Sequence, residues 1–108
     1  SSPVSVLGLS FKPGTDDVRE SPSIKLVQEL VSRGLEVRVF DPEALGNALG
    51  VLSGVTPCES VSECVQGASI IFMPVPWPEF KSVREFSDAP IIQGHSLLEG
   101  LDVFTLGA

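Results

Sequence analysis

The chain has 108 residues, 43% of them hydrophobic, so it is long enough for one globular domain and too short for two of ordinary size. Its 14 acidic and 7 basic residues give a formal net charge of -7, which repels a nucleic-acid backbone and argues against nucleic-acid binding. No apolar run approaches the roughly 20 residues of a membrane span, and no signal segment opens the chain, so we expect a cytoplasmic protein without membrane contact.

The first forty residues predict a strand, a charged loop, a helix and a second strand. A short apolar run around Val4 to Leu7 is typical of a parallel strand that is covered on both faces. Ser21 is expected to cap the following helix with its side chain, and Pro22 fits the first helical position. The apolar residues then recur at helical spacing as far as Gly34, which predicts the end of the helix.

The rest of the chain continues to alternate strands and helices. Three prolines after Met73 end the strongest of the later strands, because proline supplies no ladder donor. The predicted strands are 35–40, 55–58, 68–73, 90–92 and 103–106, and the predicted helices are 43–50, 60–66, 79–86 and a turn or short helix at 96–100. We therefore predict an α/β fold: a Rossmann-like, doubly wound, mostly parallel sheet of about six strands with helices on both faces.

The loop between the first strand and its helix carries five charges where a dinucleotide-binding fold would carry G-x-G-x-x-G. They are Lys12, Asp16, Asp17, Arg19 and Glu20. A lysine and an arginine can hold a phosphate or carboxylate, and the aspartates can orient those cations or cap backbone amides. The alternative is a solvated charged turn without a ligand.

Two further positions have two interpretations each. Asp41 ends the second predicted strand, where an acidic residue either binds ribose hydroxyls or caps the turn that it forms with Pro42. Trp77 is the only tryptophan, and it either stacks on a nucleotide base or packs over the end of a strand.

The cysteines do not predict chemistry. Cys58 and Cys64 are too few for a disulfide framework, and with His95 as the only histidine they are too few for a zinc site. We interpret both as reduced, buried structural residues and predict no metal.

The segment FKPGTDDVRESPS, followed about twenty residues later by VRVFDP, resembles the C-terminal domain of the UDP-glucose/GDP-mannose dehydrogenase family over essentially the whole chain. The segment WPEFK at residues 77–81 also resembles a family segment. Such enzymes use NAD to oxidise the C6 alcohol of a nucleotide sugar to a carboxylate, in a cleft between an N-terminal NAD-binding domain and a C-terminal domain that holds the UDP or GDP part.

The resemblance implies roles for particular residues. Phe11 and Lys12 would contact the UDP-sugar or other nucleotide sugar, and Arg19 would reach toward NAD held by the N-terminal domain of the same enzyme. The resemblance also implies a homo-oligomer at full length. The family's catalytic cysteine, catalytic lysine and glycine-rich cofactor loop have no counterpart in residues 1–108, so we expect one UDP-binding domain without the NAD-binding and central helical domains, and no catalytic residue or activity in this chain alone. A docking module without its own ligand is the alternative function.

One position departs from the family pattern. Where the family commonly has Asp-x-Arg, with the arginine facing the substrate, this chain has Gln93-Gly94-His95. His95 would offer a mostly neutral hydrogen-bond donor in place of a permanent cation, or it is a surface or capping histidine. The change puts the accepted sugar in doubt.

Overall fold

A computed structural model of the protein describes residues 3–10, 14–19, 21–75, 77–94 and 103–105. Six strands alternate with short helices along these ranges. The strands are β1 (Val4–Leu7), β2 (Val37–Phe40), β3 (Val55–Pro57), β4 (Ile70–Met73), β5 (Ile91–Gln93) and β6 (Val103–Thr105). The helices are α1 (Pro22–Ser32), α2 (Leu45–Leu49), α3 (Val61–Val65) and a 3-10 helix at Pro78–Glu85.

All six strands run parallel, in the order β3-β2-β1-β4-β5-β6. From β1 the chain winds outward to β3, and from β4 it winds outward in the opposite direction to β6. Because crossovers between parallel strands are right-handed, this reversal places the helices of the two halves on opposite faces of the sheet. The predicted Rossmann-like, doubly wound sheet is confirmed.

The two faces have separate hydrophobic cores. On one face, here called the α1 face, the α1 residues Ile24, Val27 and Leu30 pack with Val6 and Val39 of the central strands. On the other, the α3 face, residues of α3 and the 3-10 helix pack with the alternate strand positions, and the fully buried members include Leu7, Val65, Ile71, Phe80 and Ile91. This two-sided burial explains why the strands are short apolar runs.

Several predicted element bounds differ from the observed ones because backbone amides find other partners. The second strand was expected from Leu35, but the Leu35 amide donates to the Leu30 carbonyl of α1, so Leu35 lies in the turn after the helix and β2 begins at Val37. The fourth strand was expected from Ala68, but the Ser69 amide donates to the Pro3 carbonyl, outside the strand ladder, and β4 begins at Ile70. The predicted helix at 79–86 is a 3-10 helix that begins at Pro78.

The prediction that the Ser21 side chain caps α1 is wrong. Ser21 does occupy the N-cap position, but its hydroxyl makes no capping bond to the helix. It donates instead to the carbonyls of Leu9 (2.9 Å) and Ser10 (3.2 Å). The residue therefore ties the start of α1 to the segment that leaves β1.

Within the described ranges, no helix is long and apolar enough to cross a bilayer.

Candidate functional site

The candidate site lies at the carboxyl edge of the sheet, where β1 and β4 lie side by side and the chain changes direction. In open α/β sheets, this switch point is where ligands bind, because the segments that leave the two strands diverge and form a crevice. Here those segments begin at Gly8 and Pro74. The fold alone therefore directs attention to the loop after β1, which is the charged loop of the sequence.

Two glycines let the backbones approach closely at this edge. Gly8 has a φ of 99°, and a Cβ at this position would lie 2.7 Å from Val75 Cβ and 3.0 Å from the Val75 carbonyl oxygen. At Gly94, a Cβ would lie 2.8 Å from the Pro74 carbonyl oxygen. The segments after β1, β4 and β5 therefore touch one another, and larger residues at either glycine would force them apart.

The buried side chain of Asp41 anchors the base of the charged loop. Its Oδ2 accepts from the backbone amides of Leu9 (2.7 Å) and Ser10 (3.1 Å), and its Oδ1 accepts from those of Glu43 (2.8 Å) and Ala44 (2.7 Å). One carboxylate thus joins the segment after β1 to the turn after β2. These four bonds establish the turn-capping role for Asp41 and use the carboxylate oxygens that a ribose-binding role would need.

Farther along the loop, Asp17 holds the Arg19 side chain. Asp17 Oδ1 accepts from the Arg19 backbone amide (2.9 Å) and from Nε (3.1 Å), and Oδ2 accepts from Nη2 (3.0 Å). The Arg19 hydrogen bonds lower the pKa of Asp17, and Asp17 in turn raises the pKa of Arg19. Since the Arg19 side chain is 87% exposed, this pair orients a cation toward solvent and not toward the core.

A shallow depression of about 460 Å³ lies beside this pair. The α2 residue Asn47 contributes to its lining, and the Asn47 amide donates to the Asp16 carbonyl at 2.9 Å. Asn47 therefore supports the loop from a second element. Asn47 is not predictable as a loop contact from the sequence, because a hydrogen bond that spans 31 positions leaves no local signal.

Three of the four predicted binding residues, Phe11, Lys12 and His95, lie outside the described residues. Their described neighbours are Ser10, whose amide is held by Asp41, and Gly94, which abuts Pro74. The fourth, Arg19, lies in the described part of the loop.

Trp77 packs against the core of the α3 face. Its indole Nε1 is buried and has no hydrogen-bond partner. This observation favours the packing interpretation over base stacking, because part of the ring is already covered by the protein.

The two cysteines are free and buried, as predicted. Burial raises the pKa of both thiols, with a contribution from Glu63 at Cys58 and from Cys58 at Cys64. Thiols that resist ionisation are poor nucleophiles and poor metal ligands. In the part of the chain that the structure describes, no three potential ligands from His, Cys, Asp and Glu come together.

The described residues do not form a dinucleotide site of their own. The segment after β1 reads Gly8-Leu9-Ser10, which lacks the glycine spacing that brings bare backbone to a pyrophosphate. The acidic residue at the end of β2 is occupied with four backbone amides. The described residues therefore lack both of these features of a dinucleotide site.

Comparison with known proteins agrees with the fold. The profile of the UDP-glucose/GDP-mannose dehydrogenase family, UDP binding domain, matches residues 5–99. A UDP-glucose 6-dehydrogenase of Bacillus subtilis is 32% identical over 104 residues, which cover 95% of this chain and 24% of that protein. A UDP-N-acetyl-D-mannosamine dehydrogenase of Pyrococcus horikoshii is 33% identical over 100 residues, which cover 93% of this chain and 22% of that protein.

Among solved structures, a UDP-glucose dehydrogenase from Pyrobaculum islandicum superposes with a TM-score of 0.85 at 30% identity. The match covers 97% of this chain and 24% of that one, so the chain spans about a quarter of the length of these relatives. The profile match agrees with the doubly wound sheet and with the charged loop at its switch point. The chain therefore belongs to the UDP-glucose/GDP-mannose dehydrogenase family, as its UDP binding domain.

Proposed function

We propose that this chain is the nucleotide-sugar-binding domain of an NAD-dependent 6-dehydrogenase, which oxidises the C6 alcohol of a UDP-sugar to a carboxylate. Phe11, Lys12 and His95 contact the nucleotide sugar, and Arg19 faces NAD that is bound mainly by the N-terminal domain. The catalytic residues belong to the remaining domains, so residues 1–108 alone bind substrate without turning it over.

The observation that carries the proposal is the construction of the loop between β1 and α1. It leaves the sheet at the switch point, its base is fixed by Asp41 and Ser21, and its charged part lies within residues 5–99, which the family profile matches. Loops that carry binding groups benefit from such fixed bases, because less conformational entropy is lost when a ligand is held. The anchoring supports a binding role better than a solvated turn.

The overall charge of -7 disfavours an anionic ligand at long range, and a local cation offsets that repulsion. Arg19 supplies one such cation, and the bonds from Asp17 fix its Nε edge while the side chain stays exposed. An arginine held in this way is suited to a phosphate on a neighbouring domain. This geometry supports a role for Arg19 toward the cofactor and not toward the core of its own domain.

The test is thermal unfolding of the 108-residue chain with and without UDP or UDP-glucose. A ligand at ten times its dissociation constant stabilises the folded state by about 1.4 kcal/mol, which a raised melting temperature reports. We expect weak binding, with a dissociation constant above about 1 µM, because half of the cleft is contributed by other domains. Titration calorimetry then compares the wild type with Lys12→Ala.

Lys25→Ala is the matched control, since Lys25 is an exposed lysine in the first turn of α1 and its loss changes the net charge equally. We expect Lys12→Ala to abolish the UDP-dependent shift and Lys25→Ala to retain it. Equal binding by both variants would remove the assignment of Lys12. If neither UDP nor UDP-glucose moves the melting temperature of the wild type, the binding function itself is wrong.

A docking module without its own ligand is a second candidate, and one observation favours it. The described part of the chain leaves large apolar side chains on its surface, including Phe104 at 54% exposure. One domain can both dock and bind a ligand. A UDP-dependent rise in the melting temperature indicates ligand binding, whereas a docking module without its own ligand shows no such rise.

A further inference from the structure

Half of one sheet face carries an apolar row that the described helices leave open. Phe72 of β4, Ile92 of β5 and Phe104 of β6 are in register, so their side chains lie side by side on the α1 face. Phe72 and Ile92 are half-buried, whereas Phe104 is 54% exposed. Next to the row, Leu26 of α1 helps to line a small apolar depression of about 60 Å³. We call this surface the open half-face.

The winding of the chain explains why this surface is open. The connections from β1 to β3 place α1 and α2 on the α1 face, over that half of the sheet. The connection from β3 and the one after β4 place α3 and the 3-10 helix on the opposite face. In the described ranges, no helix lies over β4, β5 and β6 on the α1 face. All-parallel sheets are covered on both faces in α/β proteins, so the residues that the structure describes leave this half without its second layer.

The dimensions of the open half-face fit one helix. Three adjacent strands at about 4.8 Å spacing make a strip about 10 Å wide, which is close to the diameter of a helix with its side chains. The wall formed by α1 at Leu26 turns the strip into a groove. A helix that lies beside α1 would cover β4, β5 and β6 and so complete the helical layer on the α1 face.

A second copy of the chain fits this groove poorly. The projecting element next to the groove is α1, and its outward residues are polar: Lys25, Gln28, Glu29 and Ser32 are all exposed. Symmetric pairing of two open half-faces would bring these charged helices against apolar strands, with a desolvation cost that apolar contact does not offset. The occupant therefore has an apolar stripe that α1 does not offer.

We propose that the open half-face is the docking surface for an amphipathic helix from the rest of the dehydrogenase. This inference rests on the proposed function, in which the chain is one domain of a larger enzyme. The chain spans about a quarter of its relatives' length, so about three quarters of such an enzyme is available to supply the helix. The helix places apolar residues at i, i+3, i+4 and i+7 against Phe72, Ile92 and Phe104.

The experiment measures thiol labelling of Phe104→Cys by a maleimide, in the isolated chain and in the complete dehydrogenase polypeptide. Cys58 and Cys64 give little background, because both are buried and burial raises the pKa of their thiols. Val51→Cys is the matched control, since Val51 is 55% exposed and lies in the turn between α2 and β3, away from β4, β5 and β6. We expect labelling of Phe104→Cys to be at least about tenfold slower in the complete enzyme and labelling of Val51→Cys to change little.

Equal labelling rates of Phe104→Cys in the two proteins would overturn the proposal. The proposal would also be overturned if the isolated chain is labelled slowly in a concentration-dependent way and sediments as a dimer, because a second copy would then cover the open half-face. If the variant does not fold, hydrogen exchange of the β5 and β6 amides in the unmodified proteins gives the same comparison. UDP-glucose binding by the isolated Phe104→Cys chain is recorded in parallel, so a failure of docking is distinguished from a failure of the binding function.

Discussion

Replacing Asp41 by asparagine should destabilise the fold strongly although the two side chains have nearly the same shape. Both carboxylate oxygens accept two backbone amides each. An asparagine amide has one oxygen, so in either orientation its NH₂ group faces two amide donors. Two hydrogen bonds are then lost, and two buried donors are left without a partner.

The magnitude follows from the kind of bond. A hydrogen bond to a charged group contributes about 1.5–3 kcal/mol, and the loss of two is partly offset because the neutral amide avoids burying a charge. We expect the free energy of unfolding to fall by about 3 kcal/mol, a large part of the 5–15 kcal/mol typical of a domain. With a urea dependence of about 1.5 kcal/mol per molar, the unfolding midpoint should fall by about 2 M.

Urea unfolding followed by the fluorescence of Trp77, the only tryptophan, measures this change. Asp16→Asn is the control, since Asp16 is an exposed aspartate of the same loop and its substitution should cost less than about 0.5 kcal/mol. A midpoint for Asp41→Asn as close to wild type as that of Asp16→Asn would refute the anchoring role that we assign to the carboxylate.

Two further outcomes follow from the packing and the thiols. Gly8→Ala should lower the free energy of unfolding by about 2–5 kcal/mol, because it adds a clash with Val75 to the strain of a positive φ. Gly14→Ala is the control, since Gly14 has a similar φ of 85° and a Cβ there would have nothing within 4 Å. Equal melting temperatures for the two variants would disprove the clash. Above pH 9, the ordinary pKa of a thiol, the free energy of unfolding should fall, because unfolding lets Cys64 ionise, whereas burial raises its pKa in the folded state. The slope is about 1.4 kcal/mol per pH unit for this thiol, and Cys64→Ala should remove that part of it; an unchanged slope in urea titrations would contradict the effect of burial.

The architecture was predictable from the sequence because it depends on local periodicity. The apolar runs at β1 and β4, the proline after β4 and the glycine after α1 each indicate an element or its end within a few residues. The alternation of strands with helices then leaves few topologies, since crossovers are right-handed. The observed sheet order follows from these constraints.

The construction of the site was less predictable because its bonds join distant parts of the chain. Asp41 contacts Leu9 across 32 positions, and the Ser21 hydroxyl contacts the same residue's carbonyl across 12. A local pattern at Ser21 predicts a helix cap, and at Asp41 it leaves two interpretations open. At both residues, the hydrogen bonds to distant parts of the chain determine the role of the side chain. The Asp17–Arg19 pair spans only two positions, so its contact was predictable from the sequence.

The position of Asp41 also limits how this loop can be moved between proteins. Residues 9–19 would not be a portable unit, because the group that fixes their starting geometry comes from the end of a different strand. An engineered exchange of this loop within the family should therefore transfer the β2 turn together with the loop after β1. A chimaera that exchanges only one of the two would combine a new loop with the anchor of another protein, and its loop conformation would reflect the mismatch.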